Sequence, residues 1–443
     1  MIRILRRNAE RFADRPAVIC QGQSLTHAAL LSAVLAEARR LSDDEHVTPG
    51  MLYQFVATQD IAYLVRFLAL HVVGAICVPV DALMPLPDYH NTAVSDILFT
   101  TGSTSQPKGV LLSFDAVMAD AENLIEAHRY TSDLTFVICG PIHHFGSWSK
   151  VLPTLVAGGT LLLLPGLKDV EALFDALQSA PRTATFLVPS AIRMIMQLNS
   201  QRLHSLARHI DFIETGAAPM AACDMEALRQ LLPYTRLYNT YASTETGVVC
   251  TYPFHLPTAE PDSPAGRLSE HCLEGCAGPT MRHAHLRLDE SGRICVSGRM
   301  IMTGYLGADG PSPTEVQTSD IGRLDERGFL SIVGRISDFI NVGGLKVAPA
   351  EVEAVAMSIS FVRDCVCIPH PHPMMGQVPE LLVVCDEGQY DRKAIIQHLR
   401  AHLDSYKIPL FYREVDAIRK TFNGKIDRRS YLYGDTNAFR KSW

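Results

Sequence analysis

The stretch that most constrains the fold is the apolar run Ile97-Leu98-Phe99 and the loop it enters, Thr100-Thr101-Gly102-Ser103-Thr104-Ser105-Gln106-Pro107-Lys108-Gly109. A short buried strand that opens into small and hydroxyl residues and closes on Pro-Lys-Gly can aim backbone N–H groups, hydroxyls and one ammonium at a polyphosphate. The loop is not the Walker pattern, because no Gly-Lys-Ser/Thr ends it and Lys108 follows a proline. A phosphate loop of this kind needs a strand behind it and a layered α/β body around it.

The rest of the chain supplies that body. Val170, Leu173, Phe174 and Leu177 have helical spacing, Thr185-Phe186-Leu187-Val188 reads as a buried strand, and a further helix starts at Ser190. Ile210-Asp211-Phe212-Ile213-Glu214 reads as another short strand ending at Gly216. Phe67 to Val80 is apolar but too short to span a bilayer, and reads as a buried helix running into a strand. With 443 residues, two or more domains are expected. The character changes after Gly334-Arg335: Val352, Val355, Ala356 and Ile359 form a helix face behind Pro349. Cys365–Ile368 and Leu381–Val384 read as strands, and Ile396, Leu399 and Leu403 form a second helix face. The expected fold is α/β. A large N-terminal α/β domain of several subdomains covers 1–335, and a small mobile α+β domain covers 336–443, with the boundary near Ile336-Ser337-Asp338.

A net charge of −7 and the lack of a basic stripe argue against a nucleic-acid binder. Eleven scattered cysteines read as reduced thiols in a cytoplasmic protein. The N-terminus lacks the apolar core of a signal peptide. His271, Cys272, Cys276, His283 and His285 cluster in sequence, but their spacing fits no closed zinc pattern. Alternation of His283, His285 and Arg287 with Ala284, Leu286 and Leu288 instead reads as a half-exposed strand.

Several further segments follow in order. They are Gly216-Ala217-Ala218-Pro219 after a strand, Asn239-Thr240-Tyr241-Ala242-Ser243-Thr244-Glu245, Thr318-Ser319-Asp320-Ile321-Gly322 and Gly334-Arg335-Ile336-Ser337-Asp338. Then come Asn341-Val342-Gly343-Gly344-Leu345-Lys346 and Lys420-Thr421-Phe422-Asn423-Gly424-Lys425. Singly, each reads as well as a surface lysine, a solvated acid or a plain turn. Together with the phosphate loop they resemble the adenylate-forming superfamily of acyl-CoA synthetases, peptide-synthetase adenylation domains and luciferases, from about residue 5 to about 430.

The resemblance implies roles. Thr100, Thr101, Gly102, Ser103, Thr104 and Lys108 hold the phosphates of ATP, and Gly216, Ala217 and Ala218 lie against adenine. Tyr241 stacks on adenine, Thr244 contacts the α-phosphate, and Glu245 helps hold Mg²⁺, a hard cation suited to carboxylate oxygen. Asp320 takes the ribose hydroxyls with Arg335 nearby, a carboxylate being able to accept from both. Gly344 lines a pantetheine tunnel, and Lys425 is the catalytic lysine. It bridges the substrate carboxylate and the α-phosphate as charge concentrates in the transition state. Pyrophosphate leaves, and the C-terminal domain swings about Ser337 so that a thiol can attack the acyl adenylate.

Pro141-Ile142-His143-His144-Phe145-Gly146 resembles the segment between adenylate and acyl pocket. His144 fits counting from Pro141 and His143 fits counting back from Gly146; His144 is the choice. In amino-acid-activating relatives an aspartate follows, whereas Phe145 stands here, favouring a simple carboxylic acid. Phe145, Trp148 and Gly216-Ala217-Ala218 suggest an apolar pocket for an aryl or medium aliphatic chain. The departures are Ser105 and Ala242 where glycine is usual, Ser337 at the hinge, and a shortened stretch between Val78-Pro79-Val80-Asp81 and the phosphate loop. The expected activity is an ATP- and Mg²⁺-dependent carboxylic acid–thiol ligase using CoA. Its alternatives are a ligase loading a carrier protein's phosphopantetheine, a ligase passing the acyl group to an amine, and an inactive nucleotide-binding regulatory module. The oligomeric state is left open, and no membrane span is expected.

Overall fold

The computed structural model describes residues 1–100, 107–257, 275–421 and 426–432. Three layers of sheet build the N-terminal part. The largest has eight strands in the order Gly247–His255, Arg236–Ser243, Ile210–Gly216, Thr183–Leu187, Thr135–Ile138, Thr160–Leu163, Pro16–Cys20, Gln23–Thr26. Its central pairings are parallel and both edge pairings are antiparallel. Parallel strands covered on both faces need continuous apolar runs rather than alternation. Thr135–Ile138 and Thr160–Leu163 are accordingly buried at every residue.

Helices pack on these faces where the sequence periodicity places them. Val170–Gln178 buries Leu173, Phe174 and Leu177 behind an Asp169 cap, and Pro189–Ser205 starts with proline in its first turn. The apolar stretch from Phe67 resolves into the helix Ile61–Val73, a left-handed Gly74, and the fully buried strand Ile76–Val80. Among the described residues, no helix is long and apolar enough to cross a membrane.

A five-stranded sheet carries the phosphate loop, in the order Gly304–Tyr305, Gly109–Leu112, Asp96–Phe99, Ile76–Val80, Leu52–Val56. Asp96–Phe99 and Gly109–Leu112 form an antiparallel hairpin whose connection is the loop read from sequence. The link 81–95 between Ile76–Val80 and this hairpin contains no helix, the structural form of the shortened stretch. An antiparallel five-stranded sheet follows: Cys276–Gly278, Leu330–Arg335, Val316–Leu324, Arg293–Gly298, Ala284–Leu288. In Ala284–Leu288, His285 and Arg287 face solvent, as the alternation implies. His271 and Cys272 lie outside the described residues. Cys276 is buried in its strand, and His283 Nε2 pairs with Glu122 at 2.6 Å.

A 3₁₀ turn, Ile336–Asp338, leads into a fourth sheet, Leu345–Val347, Ile340–Val342, Gly376–Cys385, Val362–His372, with Phe411–Glu414 paired parallel to Gly376–Cys385. Its own core includes Val352, Ala356, Leu381, Val383, Ile395 and Leu399. The helix Arg392–His402 buries Ile395, with its neighbour Ile396 only half-buried. The fold is therefore α/β, with a large N-terminal part and a small C-terminal α+β domain.

Candidate active site

The site lies where the ends of Ile210–Gly216 and Arg236–Ser243 meet the two five-stranded sheets of the N-terminal part. Gly216 is in parallel register with Thr240, one residue before Tyr241. A Cβ on Gly216 would fall 2.6 Å from the Thr240 carbonyl oxygen, so only glycine lets the two strands close. The next residue, Ala217, adopts φ +68°, a left-handed conformation that costs energy for any residue with a Cβ and that concentrates at functional sites. Ala217 is exposed and Ala218 half-buried, leaving a flat, small-residue surface.

Three elements then converge on one carboxylate. Asp320, on Val316–Leu324, lies across from Arg335 on Leu330–Arg335 in antiparallel register. Tyr241 donates its hydroxyl to Asp320 Oδ2 at 2.8 Å, and Arg335 Nε donates to Oδ1 at 3.0 Å. Asp320 is buried while Arg335 stays exposed. Burial, with Asp320 beside it, pushes the Tyr241 phenol far above its ordinary value, so it is a donor at all working pH.

A second convergence forms around Thr100, Lys108 and Glu245. Thr100 N–H donates to the Lys108 carbonyl at 3.0 Å, closing the loop mouth. Lys108 Nζ stands 5.1 Å from the centre of the Tyr305 ring, and Tyr305 donates its hydroxyl to Glu245 Oε1 at 3.3 Å. Burial, reinforced by Glu245, pushes the Tyr305 phenol up to about 12. Glu245 follows Thr244 in a turn tied by Ser243 and Thr246, and its carbonyl accepts Met302 N–H at 2.8 Å. Both Thr244 and Glu245 are half-buried. The half-buried Glu245 carboxylate offers the hard oxygen donor that Mg²⁺ takes, so this residue fits the ion.

The loop holding His143 and His144 joins through Phe186. Its ring would lie 2.7 Å from a Cβ on Gly146 and 3.7 Å from one on Gly216, so it connects the loop after His144 to the strand Ile210–Gly216. Beneath it, Lys150 Nζ and Glu214 Oε1 pair at 2.7 Å with both side chains buried, fixing that loop to the same strand. His144 caps the short helix Phe145–Trp148, and the adjacent His143 meets Asp81. Phe145 is half-buried, its ring 6.1 Å from that of the buried Trp148. These two rings line a small cavity with Asp120, Gly247 and Met300.

Thr101, Gly102, Ser103, Thr104 and Lys425 lie outside the described residues. The structure thus brings together Tyr241, Asp320 and Arg335, joins Thr100, Lys108 and Glu245, and sets Gly216 beside Thr240. It leaves Gly344 apart, exposed on the hairpin between Ile340–Val342 and Leu345–Val347.

Comparison with known proteins assigns the same span. The AMP-binding enzyme family matches residues 87–306, and its C-terminal domain matches residues 351–425. The chain belongs to the AMP-binding enzyme family. A curated relative, the 2-succinylbenzoate–CoA ligase of Staphylococcus aureus, is 27% identical over 351 residues, covering 77% of this chain and 67% of that protein. Among solved structures, ATP-bound MatB from Rhodopseudomonas palustris superposes with a TM-score of 0.83 at 20% identity, covering 97% of this chain and 98% of that one. The o-succinylbenzoate CoA synthetase MenE from Bacillus subtilis, in complex with its acyl-adenylate intermediate OSB-AMP, gives 0.81 at 19% identity, covering 98% of each. The amide bond synthetase McbA from Marinactinospora thermotolerans gives 0.81 at 21% identity, covering 97% of this chain and 99% of that one.

In this AMP-binding enzyme, sequence reasoning missed Tyr305, Phe186 and Arg428 as site-supporting residues. Thr303-Gly304-Tyr305 offered only a glycine beside an aromatic, and its pairing with Val110 across 195 positions appears only in the sheet. Phe186 read as one apolar residue of a buried strand. Arg428 was visible beside Lys425, but its partner Glu353 lies 75 positions away.

Proposed function

We propose that this AMP-binding enzyme is an ATP- and Mg²⁺-dependent carboxylic acid–thiol ligase. It joins an acid to the α-phosphate of ATP, releases pyrophosphate, and passes the acyl group from the adenylate to the thiol of CoA. The observation that carries this reading is the continuous strip of nucleotide-binding groups. It runs from the small surface at Gly216-Ala217-Ala218, through the Asp320 carboxylate held by Tyr241 and Arg335, to Lys108 and Glu245 joined by Tyr305. A carboxylate is a poor electrophile, and adenylation gives it a good leaving group.

Asp320 accepts the ribose hydroxyls, with Arg335 holding it in orientation. Lys108 and the loop from Thr100 to Thr104 neutralise the departing pyrophosphate, and Thr244 contacts the α-phosphate. Mg²⁺ held at Glu245 would supply Lewis-acid neutralisation of the phosphates when bound. His144 meets the acid's carboxylate, and Lys425 spans it and the α-phosphate. In the second half-reaction Gly344 lines the path of the thiol, where its lack of a side chain leaves room. Phe145 and Trp148 favour an aryl or medium aliphatic acid over an α-amino acid, which needs a carboxylate partner for its ammonium. CoA ligases among the relatives support CoA as acceptor.

ATP–pyrophosphate exchange across aryl, fatty and amino acids tests the reading. Exchange with one class of acid, abolished in Lys425→Ala, is the expected result. Thioester formation with CoA, against a phosphopantetheinylated carrier protein, then separates the acceptors. ATP binding with no exchange for any acid would turn the assignment towards a regulatory nucleotide-binding module.

A further inference from the structure

Beside the nucleotide strip, three metal-ligating side chains from two distant segments point to one spot. Asp81 directly follows the strand Ile76–Val80, and His143 and His144 are consecutive in the loop before Phe145–Trp148. His143 Nε2 meets Asp81 Oδ1, and the two imidazole centroids are 4.2 Å apart with their planes at 41°. One ligand atom from each of the three lies within 4.8 Å of the others. The turn at 141–144 sets the two rings side by side, and His143 meets a carboxylate 62 positions earlier. A zinc-class ion bound at ~2.1 Å by each ligand sets them roughly 3.4 Å apart, a spacing within reach of small side-chain rotations. Asp81 is exposed, which gives an ion a path from solvent.

We propose that Asp81, His143 and His144 form a binding site for a borderline divalent transition cation of the zinc class. Two imidazoles and one carboxylate favour Zn²⁺, Co²⁺ or Ni²⁺ over Mg²⁺, which prefers an all-oxygen shell. Three protein ligands leave a coordination position open for water or a substrate carboxylate. One consequence rests on the ligase reading above. His144 is also the group assigned to the acid's carboxylate, so loading the site and forming the adenylate compete for one imidazole. A second group, His71, Cys77 and Asp96, is equally close-set, but its His71 and Asp96 side chains are 1% and 0% exposed and offer an ion no entry.

The test is titration of the untagged, chelator-treated full chain with Co²⁺, read by visible d–d absorption and by calorimetry without nucleotide. One Co²⁺ per chain should bind at the site with no thiolate charge-transfer band, be displaced by Zn²⁺, and resist excess Mg²⁺. Asp81→Ala and His143→Ala should each weaken it by roughly tenfold or more. Two controls should leave it unchanged: Cys77→Ser at the buried group, and His402→Gln at the His398–His402 pair, whose rings are 4.4 Å apart. Thermal unfolding without metal checks that each variant folds, and Asp81→Asn keeps the side-chain size if Asp81→Ala does not. Absence of binding, or affinity in both site variants equal to that of the unsubstituted chain, overturns the proposal. Zn²⁺ should also suppress pyrophosphate exchange in the unsubstituted chain, and less so in Asp81→Asn. Cobalt binding as expected with no exchange for any acid would sustain the cation site and count against the ligase reading alone.

Discussion

Asp320 is held from two sides, by the Tyr241 hydroxyl and by Arg335 Nε, so its orientation is set before any nucleotide arrives. Asp320→Asn removes the charge that both the ribose hydroxyls and Arg335 use. Charge-assisted hydrogen bonds contribute about 1.5–3 kcal/mol each, so ATP affinity should fall by roughly 10- to 100-fold. Adenine alone, which lacks the ribose, should bind the variant as before. Equal ATP affinity in titration calorimetry would remove Asp320 from the ribose role. Tyr241→Phe removes one neutral donor and should cost about 1 kcal/mol, roughly fivefold. Asp320 was singled out in the sequence by the resemblance of Thr318-Ser319-Asp320-Ile321-Gly322 to a ribose-binding segment. Its bond to Tyr241 was not, because 79 positions separate the two and only the sheet topology closes that gap.

At the scale of elements, Arg428 ties the segment after Lys425 to the body of the C-terminal domain. Arg428 Nη2 donates to Glu353 Oε2 at 2.7 Å and Nη1 to the Cys367 carbonyl at 2.8 Å, joining that segment to the helix Pro349–Met357 and the strand Val362–His372. Glu353 is buried, so Arg428→Ala leaves an uncompensated carboxylate and should cost about 3–5 kcal/mol of the C-terminal domain's stability. The double variant Arg428→Met with Glu353→Leu should recover much of that loss in urea unfolding. No recovery would mean that the pair's geometry, rather than its charge balance, matters. The helix Phe114–His128 carries a different strain. Its Asp120 is 4% exposed, accepts Val248 N–H at 2.6 Å, and is pushed by burial from 3.8 up to about 6. The folded chain therefore holds this proton more tightly than the unfolded chain. The stabilisation is complete below about pH 4 and lost as pH rises through about 6. Asp120→Asn keeps the acceptor without the charge. Relative to it, the native chain should lose up to about 3 kcal/mol between pH 4 and pH 7. Parallel unfolding curves for the two across that range would contradict the assignment. Helix faces such as Leu173, Phe174 and Leu177 were readable because burial follows periodicity. Asp120 was not, because a polar residue inside a helix gives no sign of which wall it will meet.

Across the whole molecule, the alternation of strand and helix and the change of character after Arg335 were legible, since layered sheets and a separate small core each leave a pattern in the apolar residues. How the two parts meet was not, because it depends on a few polar contacts. Asp364, on the C-terminal strand Val362–His372, receives Lys420 Nζ at 2.7 Å, five positions before Lys425, and Arg193 Nη1 at 3.3 Å from the N-terminal helix Pro189–Ser205. Arg193 is in turn paired with Asp224 at 2.5 Å on Ala222–Leu231, the helix that follows the adenine-side loop. In this arrangement Gly344 is exposed, and among the described residues no atom outside its chain neighbours lies within 4 Å of where a Cβ would stand. The Arg193–Asp364 pair therefore belongs to the arrangement that keeps Gly344 away from the site. If the C-terminal domain rotates between half-reactions, this pair must break. Both side chains are less than one-fifth exposed, so the pair is worth more than a solvated surface bridge, about 1 kcal/mol or somewhat above. Arg193→Ala should shift the balance away from the present arrangement by roughly fivefold. Pyrophosphate exchange should then slow relative to thioester formation from preformed adenylate, while Lys108, Glu245 and Asp320 stay untouched. A uniform loss in both half-reactions would point instead to displacement of the Ala222–Leu231 helix. Unchanged rates in both would show that the pair takes no part in the exchange of arrangements.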